Sequence, residues 1–301
     1  MGPRHSKLKR KRNSISVANN YNGSGSLKKE YDFDNPYMIP INDTQIDRMQ
    51  TQHHILRTLC NGNFLSPIKD KLKAGNFKVL DFGCGTGTWL CDVATDYPSA
   101  SFVGVDFAPI WPTQKPLNIQ FIVANIIDGL EFEDNSFDYI HARSLVTYFN
   151  DHEWEAYVIP ELTRILKPGG FLECFDDEVL WYNMPPSLEK LCNAIQTELQ
   201  ARHMDPLISR RIGDFMKATG QLENIQHEPK TIPYGSHGGK IGELTAQTFL
   251  QFFEGVRKPL MDIMSLNDSE YDSLMSQLEK EINFYRTYGK NHRYIAQKQQ
   301  K

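Results

Sequence analysis

The chain has 301 residues, of which 40% are hydrophobic and 23% charged, and its formal net charge is −4. This is an ordinary globular mix, which excludes collagen, coiled coil and wholesale disorder. No apolar run approaches the ~18 residues a membrane helix needs. The length allows one decorated α/β domain or two smaller units. The five cysteines, Cys60, Cys84, Cys91, Cys174 and Cys192, form no CxxC pair. An odd, scattered set argues for a reducing compartment and against a disulfide framework or a Cys-rich zinc site, and no metal is expected.

Charge is distributed unevenly. Residues 1–29 hold eight Lys or Arg and no acid, which leaves −12 on residues 30–301. An acidic body is a poor partner for phosphate backbones, so nucleic acid is disfavoured. The stretch from Lys7 to Arg12 fits either a nuclear import signal or a solvated tail, so the expected location is nuclear or cytoplasmic. No apolar segment follows it, so it does not read as a secretory leader. Residues 1–30 are rich in Ser, Asn, Gly and Lys. They have too little apolar content to offset the entropy of ordering and are expected to be disordered.

The folded part opens near Tyr31. Asn42 or Asp43 can cap a helix that carries Ile46, Met49, Leu56 and Leu59 along one side. Residues 78–82 read as a buried strand ended by glycines, and Trp89, Leu90, Val93 and Ala94 follow at helical spacing. Further strands are predicted over 101–105, 119–123 and 137–141. A helix follows from Asp151, its cap, to about Leu166, and Pro168-Gly169-Gly170 stops it. Residues 171–175 are a fifth strand. Strands alternating with helices imply a doubly wound parallel sheet with right-handed crossovers. Helices are predicted over about 187–203, 207–219, 241–264 and 268–286. A weak alternating segment near 222–234 would sit at a sheet edge, because Pro229 and Pro233 cannot donate to a ladder. The expected organisation is a basic tail over 1–30 and one domain over 31–301, with a core at about 77–176 and a helical cap at about 186–290.

The chemistry points to the first strand–helix turn, Asp81-Phe82-Gly83-Cys84-Gly85-Thr86-Gly87. Alternate glycines let the backbone turn sharply and approach a ligand, and the helix start behind them offers free N–H groups. Asp106 ends the second strand, where a carboxylate can accept both hydroxyls of a ribose. A dinucleotide fingerprint needs Gly-x-Gly-x-x-Gly. Leu90 or Thr88 falls at the third glycine in the two registers available, so neither fits. An acid two residues before the first glycine suits a cationic group better than a pyrophosphate. That favours S-adenosylmethionine, whose methionine end carries an ammonium beside a positive sulfonium.

The segment from Val79 to Gly87 resembles motif I of class I S-adenosylmethionine-dependent methyltransferases. Val103-Gly104-Val105-Asp106 resembles their ribose motif. The segments Phe137 to His141 and Leu166 to Glu173 resemble the later motifs in order and spacing. The similarity covers about residues 77–176. A narrower resemblance is to fungal methyltransferases, including regulators of secondary metabolism that work with velvet proteins. It rests on Tyr37-Met38-Ile39-Pro40, Asp47-Arg48, His53-His54 and His141-Ala142-Arg143-Ser144-Leu145. The resemblance implies a mostly parallel, seven-stranded Rossmann-like sheet with an N-terminal helix and a helical C-terminal lid around the acceptor. It implies that Asp81 meets the ligand's ammonium, that Gly83 and Gly85 pass the methionine moiety with Cys84 between them, and that Gly87 packs helix on sheet. Asp106 would hold the ribose, with Phe107 beside the adenine. Asn125, followed by Ile126, stands where the family often has an Asp near the adenine amine. His141 would lie close to the sulfonium and is the candidate general base.

Blander roles compete for several residues. The glycines can form a tight turn with no ligand, and Asp81 can be a structural acid. His141 can be simply hydrogen-bonded, and Arg143 is expected to pair with an acid of the lid. His53 and His54 lack the companions of a metal site. Tyr148, Trp154 and Trp181 fit an acceptor pocket or the core. Glu173, Asp176 and Asp177 can orient an acceptor or face solvent. The expected activity is methyl transfer to a small-molecule or protein acceptor, an in-line displacement that mainly requires placement. The alternative is a methyltransferase-fold nuclear regulator that acts through a protein partner.

Overall fold

The computed structural model describes residues 39–300. The tail expected over 1–30, the Lys7–Arg12 stretch and the first two residues of Tyr37-Met38-Ile39-Pro40 lie outside the described residues. Asn42 caps the first helix, α1 (Asp43–Leu59), by accepting a hydrogen bond from the Gln45 N–H at 3.0 Å. A short α2 (Lys69–Ala74) precedes β1 (Lys78–Phe82). Then come α3 (Thr88–Asp96), β2 (Ser101–Asp106), β3 (Ile119–Val123) and β4 (Phe137–Arg143).

The next helix begins one residue earlier than Asp151 would set it. Asn150 is the cap, in a reciprocal pair with Glu153. A turn of α4 (Asp151–Glu153) widens into a π turn (Trp154–Val158) and continues as α5 (Ile159–Ile165). Pro160 gives the reason, because it has no N–H and its ring crowds the carbonyl one turn back. The chain goes on through β5 (Leu166–Tyr182), α6 (Pro186–Ala201), α7 (Ile212–Ala218), β6 (Leu222–Pro233), α8 (Gly239–Gly255), α9 (Arg257–Met264), α10 (Asp268–Glu281) and β7 (Tyr288–Lys298).

The seven strands form one sheet in the order β3-β2-β1-β4-β5-β7-β6. β1 to β5 run parallel, while β7 runs antiparallel to both β5 and β6. Helices cover both faces, which makes this the doubly wound sheet expected. The largest core cluster joins β1, β4 and β5 to α5, α6 and the lid helices through Trp154, Leu162, Leu188 and Phe253. A second cluster, with Val79, Trp89 and Tyr139, packs α3 against the sheet.

Three elements differ from the sequence reading. β7 was not expected, and β5 runs well past residue 175 because β7 pairs with it as far as Tyr182. β6, by contrast, is the edge strand expected near 222–234; it crosses the stretch expected as a helical cap and closes the sheet's far edge. The single helix expected over 241–264 breaks at Val256. A Cβ on Gly255 would stand 2.6 Å from Gln45 Nε2, so that glycine marks the close crossing of α8 with α1. Pro259 then lies in the first turn of α9, where its missing N–H is tolerated.

Glu173 ties the entry loop to the sheet. Its buried carboxylate accepts from the Leu65 N–H (3.1 Å), the Ser66 N–H (3.0 Å), Ser66 Oγ (2.8 Å) and Tyr139 OH (3.1 Å). Replacing it with Ala strands these donors together with Arg293, whose Nε lies 3.5 Å away. Glu173→Ala should therefore lower the unfolding free energy by roughly 3 kcal/mol, read from urea denaturation. A loss below about 1 kcal/mol would show that water satisfies the same donors.

Candidate active site

The carboxyl ends of β1, β2, β3 and β4 meet at the turn after β1. Gly83, Gly85 and Gly87 all have positive φ, at 69°, 51° and 68°. A Cβ on Gly87 would lie 2.6 Å from the Phe121 ring, so this glycine lets α3 sit on the sheet as expected. At Gly85, chain neighbours aside, the one heavy atom of the described residues within 4 Å of such a Cβ is Met49 Sδ, at 3.9 Å, so among these residues the turn presents bare backbone to open space. Asp106 holds the turn in place. Its Oδ2 accepts the Gly85 N–H at 2.7 Å and its Oδ1 accepts the Ala108 N–H at 2.9 Å. Burial pushes the Asp106 carboxyl up to about 6, against the pull of these donors.

Asp81 and His141 face each other in register on β1 and β4, with Asp81 Oδ1 2.7 Å from His141 Nδ1. Both are buried. The imidazole also stacks flat on Trp89, with centroids 3.9 Å apart and planes within 3°. Burial raises the Asp81 carboxyl to about 7 and drives His141 well below the usual imidazole range. Loss of water thus favours the uncharged form of each. Asn125 caps a short 3-10 turn (Ile126–Asp128), its Oδ1 accepting from the Ile127 N–H at 3.1 Å. A carbonyl oxygen has a second lone pair and the amide keeps two donors, so the side chain retains hydrogen-bonding capacity.

These groups line a cavity of about 440 Å³, within the size range of small-molecule sites. Asp81, Gly83, Cys84, Gly85, Asp106, Phe107, Asn125, Ile126 and His141 all contribute to its wall; Gly87 does not. Tyr148 and Trp181 line it too, whereas Trp154 is buried in the core. Of the β5 acids, Asp177 and Glu178 reach the cavity, and Asp177 accepts from Asn291 Nδ2 at 2.8 Å. Glu173 and Asp176 are buried rather than facing solvent, and Asp176 Oδ1 accepts the N–H groups of Leu145 (2.8 Å) and Val146 (3.0 Å). Arg143, expected to pair with an acid of the lid, instead sets Nη2 3.2 Å from His53 Nδ1.

Sequence reasoning missed a whole wall. Gln45, Arg48, Met49, Gln52 and His53 reach the cavity from α1, and Tyr234, Thr248, Phe249 and Phe252 reach it from the lid. The signal was available on α1, where Gln45, Arg48, Gln52 and His53 form a polar stripe at helical spacing beside Met49. Such a stripe reads as a solvent face until the lid is placed over it. Gln45 Nε2 donates to the Gln251 carbonyl at 2.8 Å, which fixes α1 against α8. The cavity therefore has two ends. One is the glycine turn with its acids, and the other is a chamber walled by Trp181, Tyr234, Phe249 and Phe252.

A family model for the methyltransferase domain matches residues 79–170. The N-methyltransferase gliN of Aspergillus fumigatus is 25% identical over 264 residues, covering 83% of this chain and 92% of that protein. The secondary metabolism regulator laeA of Coprinopsis cinerea is 28% identical over 222 residues, 65% of this chain and 52% of that protein. The chain thus spans about half the length of that regulator. A solved structure of Haemonchus contortus phosphoethanolamine N-methyltransferase 2 in complex with S-adenosyl-L-methionine aligns with a TM-score of 0.46 and 18% identity, over 83% of this chain and 57% of that one.

Residues 79–170 are a methyltransferase domain, and the chain resembles class I S-adenosylmethionine-dependent methyltransferases. Within that class it resembles the fungal methyltransferases of secondary metabolism.

The buried acids fix a pH dependence. Asp81 (about 7), Asp106 (about 6) and Asp176 (about 8) keep protons in the folded chain at pH values where unfolded carboxylates have lost them. The folded state then binds more protons than the unfolded one, so stability falls as pH rises between about 6.5 and 8. Below that window His53 (about 3) and His141 act oppositely, since burial holds them neutral while the unfolded imidazoles charge. The urea midpoint of the ligand-free protein should therefore be higher at pH 6.5 than at pH 8. A midpoint that climbs across that interval contradicts this assignment.

Proposed function

We propose that the chain methylates a small molecule held in the aromatic chamber, next to a cofactor laid along the glycine turn. The observation that carries this reading is the continuity of the cavity from Asp106 and Gly85 to Trp181, Tyr234 and Phe249. The chamber lies beneath α1 and α8, and its walls Trp181 and Phe249 are buried. Such a chamber suits a compact apolar molecule, whereas a nuclear regulator working through a protein partner has no need of it. That alternative draws its support from the basic stretch between Lys7 and Arg12, the segment from Tyr37 to Pro40 and the name of one relative.

The residues fit the cofactor. The bare backbone at Gly85 leaves room for it, and two carboxylates stand where an ammonium and a ribose need acceptors. Asp81 Oδ2 would accept from the ammonium while Oδ1 keeps His141. Asp106 would take the ribose hydroxyls, Phe107 would lie by the adenine, and Asn125 beside Ile126 would take its amine. Gly83, Cys84 and Gly85 would pass the methionine moiety. When bound, S-adenosylmethionine supplies a methyl group already activated by the sulfonium. The protein's task is then alignment and exclusion of water. His141 remains the candidate base for an acceptor that must lose a proton. With Nδ1 engaged by Asp81, Nε2 is the nitrogen left to take it.

Calorimetry of the full chain should show micromolar binding of S-adenosylhomocysteine and none of NAD. Asp106→Ala should weaken that binding by roughly 2 kcal/mol, about 30-fold, through loss of charge-assisted hydrogen bonds. Asp106→Asn, which keeps an acceptor for the Gly85 N–H, checks that the loss is not a collapsed turn. Unchanged affinity in both variants places the ribose elsewhere. Transfer of labelled methyl from S-adenosylmethionine in a fungal cell extract should label the low-molecular-weight fraction. Label confined to precipitated protein overturns the small-molecule acceptor.

A further inference from the structure

Arg143 closes β4, two residues beyond His141 and therefore on the same face of the sheet as the Asp81–His141 pair. Both Arg143 and Asp81 line the cavity. Among the described residues, the Arg143 side chain makes one hydrogen bond, Nη2–H to His53 Nδ1 at 3.2 Å. No carboxylate of the described residues comes within ion-pair distance of it. A guanidinium has five N–H donors in a planar fork, so most of them are left for something that enters the cavity. Charge alone does not settle a buried arginine, because withdrawal from water must be repaid by hydrogen bonds of good geometry.

The fork is held from behind. His53 Nε2 lies 3.1 Å from Asp92 Oδ2, and that carboxylate also receives Arg57 (3.1 Å) and Asn63 (3.0 Å). With Nε2 as the donor to Asp92, Nδ1 is the acceptor that orients Arg143. Burial keeps His53 neutral down to about pH 3, so this role persists across the working range. The other arginine of the cavity, Arg48, is differently placed. Its Nε donates to Gln45 Oε1 at 2.6 Å and its Nη1 to Gln52 Oε1 at 3.1 Å, and its guanidinium lies 6.0 Å from the Phe252 ring centroid at the lid end.

We infer that Arg143 receives the carboxylate of the cofactor's amino-acid end, opposite Asp81, so that the two side chains clamp a zwitterion. The inference rests on the reading that Asp81 faces the ammonium. In an α-amino acid the ammonium and the carboxylate are carried by one carbon, so a site for it needs an anionic and a cationic group side by side. Asp81 and Arg143 supply that pair from adjacent strands, and His53 is the positioning residue behind it. Arg143 is thereby a discriminator against adenosine thioethers that lack the amino-acid carboxylate.

The test is calorimetry on the full chain with three ligands: S-adenosylhomocysteine, its decarboxylated analogue, which keeps the ammonium, and 5′-methylthioadenosine, which lacks both groups. In the wild type, removing the carboxylate should weaken binding roughly 30-fold, as expected for a bidentate charge-assisted pair. In Arg143→Met the first two ligands should bind within about threefold of each other. Binding of methylthioadenosine should match the wild type and show that the variant is folded. Equal wild-type affinity for the first two ligands, or an undiminished carboxylate effect in Arg143→Met, overturns the clamp. If Arg143→Met does not fold, Arg143→Lys decides. A point charge without the fork should cut the carboxylate effect severalfold, and an unchanged effect overturns the proposal. Failure of the underlying reading looks different. The wild type then does not bind S-adenosylhomocysteine, or Asp81→Asn binds the decarboxylated analogue unchanged; either result removes the clamp with it.

Discussion

A carboxylate taken out of water must find donors within the protein, or the fold loses several kcal/mol. β5 carries four acids within six residues, Glu173, Asp176, Asp177 and Glu178, at the middle of the sheet. The surrounding architecture serves them on both faces. Glu173 takes the entry loop and Tyr139. Asp176 takes the two N–H groups that shape the turn after β4. Asp177 takes Asn291. Glu178 takes Arg210, His292 and Tyr182, a set of donors that draws its carboxyl down to about 2. Remove β7 and three of these acids lose a partner, Glu173 its Arg293, Asp177 its Asn291 and Glu178 its His292; remove the entry loop and Glu173 loses its backbone donors as well. This interior strand thus determines where the loops and the last strand must lie.

The same requirement shapes the active site. Asp106 is held by the backbone it supports, since the Gly85 N–H both satisfies the acid and fixes the turn. Asp81 is engaged on one oxygen by an imidazole that itself stacks on Trp89. Preorganised groups of this kind suit a reaction whose methyl group arrives already activated, because little more than placement remains for the protein to supply. At the aromatic end of the cavity Arg48, held by Gln45 and Gln52, stands beside the Phe252 ring. The walls of that end, Trp181, Tyr234, Phe249 and Phe252, all lie beyond residue 170, outside the segment matched by the family model.

The first five strands, the glycine turn, the acid at the end of β2 and the helical character of the C-terminal third were legible in the residue pattern. Parallel strands buried on both faces are apolar runs, and positive-φ turns need glycine. β7 was not legible. Its middle reads Asn291-His292-Arg293, a polar triplet that looks like a surface loop. Those side chains are buried because Asp177, Glu178 and Phe175 wait for them on the neighbouring strand. The break at Val256 was hidden for a related reason. Gly255 makes sense only once Gln45 is seen crossing it from more than two hundred residues away.

The sequence by itself determined the sheet's parallel core, the cofactor class and the glycine turn after β1, because those depend on contacts between near neighbours and on backbone conformations few residues can adopt. The tertiary structure alone decided which acids are buried, how Arg143 and His53 come together from β4 and α1, and what walls the acceptor chamber. Each of these is set by side chains far apart in the chain, whose pairing energies become visible only when the strands and the lid are brought side by side.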